Sequence, residues 1–247
     1  MATFVLIALT TGCKAFAPDF AEFGGSRMRD IRDRAALHDT MLTLRLDTLL
    51  PVLMERVGVD CWLILADGSE GDVLVSLLTV RATRLEGKGV LLLCNQDSAL
   101  ARIALGDGFS SNAAIYEVFE PSDEMTLAGL LNDHLRAFKP GSIAVNDSLQ
   151  FPAADGLTAS NARWLRDHLA PEFSNRLISS RPLVESFLAE QISSEAPFFA
   201  ESVRLTVAIL DEVLSDQVVV ASGTSLLDLD WAFRDRAAQL DVEVAYP

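Results

Sequence analysis

Cysteine and histidine are scarce in this chain: three of each in 247 residues. Three cysteines without a Cys-x-x-Cys pair argue against a disulfide scaffold. Cys61 and Cys94 each lie inside an apolar run, and they read as small core residues rather than redox or metal groups. Basic side chains are also few. Twenty Lys and Arg stand against 35 Asp and Glu, for a formal net charge of −15 and an isoelectric point near 4.5. An acidic surface without a Lys/Arg cluster repels phosphate backbones, which excludes nucleic-acid binding as a working reading. The opening apolar run, Phe4 to Leu9, is far below the ~20 residues that cross a bilayer. No Gly-x-Ser-x-Gly elbow, His-Glu-x-x-His pair or Walker loop occurs.

Hydrophobic residues, by contrast, make up 50% of the chain, and mean hydropathy is +0.26. A sizeable core is expected, in one large or two modest domains. From Arg27 to Arg56 the pattern is helical, with Leu37, Met41, Leu44 and Leu49 in series and Pro51 opening a new turn or a kink. The charges Arg27, Arg29, Arg32 and Arg34 against Asp30 and Asp33 suit a solvated helix face better than an anion site. Cys61 to Ala66 and Gly89 to Cys94 are continuous apolar runs, as in strands buried on both faces. Val73 to Thr79 is apolar, Ala99 to Leu105 suggests a short element, and Ala114 to Phe119 a strand. Leu127, Leu130, Leu131, Leu135 and Phe138 form a helical stripe that Pro140-Gly141 ends. Ile143 to Asn146 reads as a short strand and Asn161 to Leu169 as a helix. Alternating strands and helices predict an α/β fold with a mixed sheet flanked by helices. The acidic turn Asp67-Gly68-Ser69-Glu70-Gly71-Asp72 matches neither calcium-loop nor phosphate-loop spacing, and a plain turn is its expected role.

The last quarter changes character. Phe199, Val203, Val207, Leu210 and Leu214 recur at helical spacing after an N-cap at Ser193 or Ser194 and Pro197 in the first turn. Val218 to Ala221 is a β-branched run, Ser222-Gly223 a turn, and Ser225 with Asp228 a capping box. The helix so opened carries Leu226, Leu229, Phe233, Ala237 and Leu240. Val242, Val244 and Tyr246 then alternate as an opening strand does.

Glu195, the helix of Val203 and Arg204, the Val218–Thr224 turn, the Trp231 helix and Val242–Pro247 occur in an order that resembles the start of the pita-bread domain of the creatinase, prolidase and aminopeptidase P metallopeptidases. Arg45 to Leu65 and Phe151 to Thr158 resemble the amino-terminal domain of bacterial Xaa-Pro aminopeptidase-like members. The resemblance runs from about Met28 to the end and rests on order and spacing. It implies a creatinase-type amino-terminal domain over 27–184, joined near Arg181-Pro182 to the first helices of a pita-bread domain over 185–247. Complete relatives bind a pair of divalent metals, commonly manganese, cobalt or zinc, through two Asp, one His and two Glu, and cleave the peptide bond before proline. The resemblance places those ligands beyond Pro247, so the chain is expected to be a truncated amino-terminal portion, without catalytic, cofactor or metal residues of its own, that hydrolyses no peptide alone. It also implies a homo-oligomer.

Two further readings stay open: a short binding or oligomerisation module of the same fold, and an unrelated α/β binding protein. His38, His134 and His168, each beside an aspartate, either converge as metal ligands or serve as surface or capping side chains; the second role is expected, because neighbours on a helix face different ways. Residues 1–26 read as a leader and linker. Leu9-Thr10-Thr11-Gly12-Cys13 is a loose likeness of a lipoprotein cleavage box, which points to a periplasmic or lipid-anchored protein with Cys13 as the anchor, the alternative being a cytoplasmic chain with a greasy terminus.

Overall fold

Seven residues from Cys61 to Asp67 are nearly all apolar, so a strand here hides both its faces. In the computed structural model, which describes residues 31–68, 73–96, 99–216, 218–220, 223–240 and 242, that strand is central. The order is α1 (Ile31–Leu44), a π-helical turn (Arg45–Leu49), α2 (Leu50–Val57), β1 (Cys61–Asp67), α3 (Val73–Leu78), β2 (Lys88–Gln96), β3 (Ala99–Leu105) and β4 (Glu117–Phe119). Then come α4 (Leu127–Phe138), β5 (Ile143–Val145), α5 (Ala159–His168), the short α6 (Pro171–Ser174), β6 (Leu177–Ser179), α7 (Arg181–Ala189), α8 (Ala196–Val213) and α9 (Leu226–Gln239).

The sheet runs β4-β3-β2-β1-β5-β6. β1, β2 and β3 form an antiparallel meander, while β5 joins β1, β6 joins β5 and β4 joins β3 in parallel. Alternation sorts the side chains into two layers. Trp62, Ile64, Ala66, Leu91, Leu93 and Ala144 face a layer that includes Leu46, Leu50, Leu53, Leu74, Leu78, Leu183 and Phe187. Cys61, Leu63, Leu65, Val90, Leu92, Cys94 and Ile143 face the other, with Leu131 and Leu135 of α4, Leu165 of α5 and Phe173 of α6. The result is helices on both faces of a mixed sheet, the α/β architecture that the sequence pattern predicts.

Local chemistry sets the element ends. Pro51 has no N–H, and its ring crowds the carbonyl four residues earlier. The chain answers with the widened turn Arg45–Leu49 just ahead of it, so one helical rod continues through the proline. Gly58, at φ 71°, closes α2 in the left-handed conformation, with its N–H and that of Val59 donated to the Glu55 and Met54 carbonyls. Thr126 and Thr158 cap α4 and α5 by accepting from Gly129 N and Asn161 N at 3.1 and 3.2 Å.

Three expectations change. The pairing of β1 with β2 sets Cys61 opposite Cys94, and the two are joined by a disulfide. Both are core residues, as their runs suggest, but their register makes them partners and not mere fillers. The strand expected over Ala114 to Phe119 is confined to Glu117–Phe119, because Tyr116 turns inward to donate its hydroxyl to the Leu78 carbonyl at 2.6 Å. The segment from Arg181 is no crossing. It is helix α7, whose Leu183, Val184 and Phe187 are buried, and the chain divides into its two compact units after Ala196 rather than near 184.

In the second unit, Ile209 and Val213 of α8 and Ala237 of α9 are buried, with Leu205, Leu229, Phe233, Leu240 and Val242 packed around them. The capping box stands as expected: Asp228 N donates to Ser225 Oγ at 3.2 Å, and Ser225 N to Asp228 Oδ2 at 2.8 Å. The Ser225 hydroxyl, then its backbone N–H, hold the Asp228 carboxyl below its ordinary range. The leader with Cys13, the turn residues Ser69 to Asp72 and the strand residues beyond Val242 lie outside the described residues.

Candidate functional site

Because β2 runs antiparallel to β1, the carboxyl end of β1 meets the start of β2, and Asp67 pairs with Lys88. Lys88 Nζ donates to Asp67 Oδ2 at 3.0 Å and to Asn161 Oδ1, and lies 5.9 Å from the centre of the Trp164 ring. The buried amide of Asn161 donates in turn to the Leu65 carbonyl at 3.3 Å. Open α/β sheets bind ligands at such strand ends. Here Lys88 is committed to protein oxygens. The cluster braces α5 onto the sheet.

At the other end of the sheet a groove of about 770 Å³ lies between the rod and the β2–β3 connection, lined among others by Asp47, Glu55, Asp60, Asn95, Gln96 and Arg102. Its charges are largely spent. Arg102 is paired with Asp47, and Asp60 Oδ2 accepts from Gly141 N at 2.6 Å and Ser142 N at 3.0 Å. Asn95 Nδ2 reaches the Pro51 carbonyl at 3.3 Å. Arg102 Nε is a buried donor without a partner among the described residues. Burial pushes the nearby Tyr116 phenol far above its ordinary range, against the opposing pull of Arg102, so it is a neutral hydrogen-bond donor at any physiological pH. This lining offers polar contacts to a ligand and no nucleophile with a base beside it.

The densest ionic contact that the structure adds is at Arg45, in the π-helical turn. Arg45 Nη1 donates to both carboxylate oxygens of Glu195 at 3.0 and 2.9 Å, Nη2 donates to the Phe187 carbonyl, and the guanidinium lies 4.4 Å from the centre of the Phe187 ring. Glu195 also accepts from Ile192 N at 3.0 Å. Both partners are mostly buried, with side chains 15% and 21% exposed. Arg45 and Glu195 open two separate stretches of the sequence, 150 residues apart. Nothing in the local pattern couples them.

The histidines are held separately. His38 Nδ1 is 3.1 Å from Asp39 Oδ1, a contact between helix neighbours although such residues face different ways. His134 lies between Phe119 and Phe138, with ring centres 4.7 and 6.1 Å away, and burial lowers its pKa against the opposing charges of Glu117 and Asp133. His168 stacks on Trp164 at 4.8 Å. Among the described residues no group of three or more His, Cys, Asp or Glu is placed to hold a metal, and with the three imidazoles engaged apart from one another these residues do not fit a dinuclear metal centre. No described helix is long and apolar enough to cross a membrane.

No family model matches the chain, and no curated protein does. Among solved structures it is similar to an Xaa-Pro dipeptidase from Bacillus anthracis, with 17% identity, a TM-score of 0.44 and 82% of this chain covered. The chain spans about half of that structure, 49% of its length.

Proposed function

We propose that this chain is the amino-terminal, non-catalytic portion of a metal-dependent Xaa-Pro aminopeptidase-like peptidase of the creatinase, prolidase and aminopeptidase P group. The observation that carries the reading is the bare face of α8. Phe199, Val203, Val207, Leu210 and Leu214 are 56, 46, 48, 41 and 58% exposed, although α8 and α9 have a small core of their own. A stripe of that size calls for a cover. In the resemblance drawn from the order of elements, the cover is the curved sheet of a pita-bread domain, which also carries the metal ligands. On this reading hydrolysis belongs to that further domain. Residues up to Ala196 would support it and restrict access to it.

The test is the size and activity of the native protein. An antibody raised against residues 30–196 should detect a species well above 26.8 kDa in the source cells, and the captured species should release the amino-terminal residue from Xaa-Pro peptides when given manganese, cobalt or zinc. A native species of 26.8 kDa without that activity would favour the second reading, for which the same bare face speaks: a short module that self-associates through α8.

A further inference from the structure

Cys61 and Cys94 are each 1% exposed and joined across β1 and β2 at a sequence separation of 33 residues. They lie in the sheet layer that Leu131 and Leu135 of α4 cover. β1 and β2 are consecutive strands, joined through a connection that carries only α3, whereas α4 joins from further along the chain. Once α4 is seated, neither a reductant nor an oxidant reaches the sulfurs. The bond must therefore be made before that face closes.

We propose that Cys61 and Cys94 are a maturation site, oxidised by thiol–disulfide exchange with a disulfide-bearing partner in an oxidising compartment before α4 docks, and locked thereafter by burial. One cysteine thiolate attacks the partner's disulfide and releases one partner thiolate. The second cysteine thiolate then attacks the mixed disulfide and releases the other. Two thiol protons and two electrons leave the chain, and the partner departs as a dithiol. Cytosolic thiol systems keep such pairs reduced, so the chain completes its fold in a secreted or periplasmic setting. This inference is independent of the peptidase reading, since it rests only on the pairing and burial of the two cysteines.

The full chain as made by its source cells is quenched in acid, alkylated in denaturant without reductant and mapped by peptide mass spectrometry. The peptides of Cys61 and Cys94 should be recovered joined and unalkylated. When dithiothreitol is added to the folded protein, opening of the bond should be on the order of tenfold or more slower than in denaturant, because it must await local opening of α4. Recovery of both residues as alkylated free thiols would overturn the proposal. So would reduction of the folded chain as fast as the unfolded one.

Discussion

His134 meets Phe119 on one side and Phe138 on the other, and this burial outweighs the pull of Glu117 and Asp133, so its proton is held less tightly than in the unfolded chain. Its neutral form therefore favours folding above the ordinary imidazole value of 6.5. That contribution is lost as pH falls through the lower folded value. Ring-proton NMR should give a His134 midpoint below 6.5, and His134→Gln should flatten the acid-side loss of stability near that midpoint; an unshifted midpoint would refute the burial argument. Asn146 gives a second residue-scale prediction. Its Oδ1 accepts from Trp62 Nε1 at 3.0 Å and from Ser180 Oγ at 2.8 Å, all in the core. Asn146→Ala strands two buried donors and should cost about 2–4 kcal/mol in denaturant unfolding, while Asn146→Asp keeps the acceptor but buries a charge and should also destabilise. The same burial takes Asn146, part of an Asn-Asp-Ser glycosylation pattern, out of reach of modification in the folded protein.

Helix α8 carries two apolar stripes, and only one is buried. Leu205, Ile209 and Val213 pack with α9, while Phe199, Val203, Val207 and Leu210, with Leu214 just past the helix end, stay exposed. Sequence periodicity picked out the second stripe. A helix apolar on so much of its circumference has no single preferred face, and the choice falls to whichever partner is present. Ile209→Ala should accordingly cost about 2–4 kcal/mol in thermal or urea melts of this helical unit, whereas Phe199→Ser and Val203→Ser should stay within about 0.5 kcal/mol. The two serine variants should nevertheless reduce self-association in sedimentation velocity. Equal destabilisation by all three would mean that both faces are buried. The strands were easier to read: continuous runs such as Leu91–Cys94 have one sensible environment. Cross-strand register, and with it the Cys61–Cys94 partnership, depends on how the long connection through α3 returns β2 to β1, which residue types leave open. The Arg45–Glu195 pair was beyond reach for a related reason, since a contact across 150 residues leaves no periodic trace.

The whole chain divides after Ala196, and that position makes a prediction about fragments. A polypeptide of residues 30–196 keeps Phe187, which is 3% exposed and lies 6.1 Å from the Trp62 ring, together with Glu195, the partner of Arg45. One ending at 184, the limit suggested by the sequence, loses both. The longer fragment should melt cooperatively and resist limited proteolysis, and the shorter should be less stable by about 3–5 kcal/mol, the cost of deleting a buried aromatic. Equal stability would mean that α7 contributes nothing to the first unit. The architecture of the sheet has one more consequence. Its outer strands, β4 and β6, are three residues long apiece, while the long apolar strands β1 and β2 lie inside. A sheet so bordered offers an incoming chain almost no backbone to zip against, so a protein that is half hydrophobic by composition is shielded from growing edge to edge into fibrils.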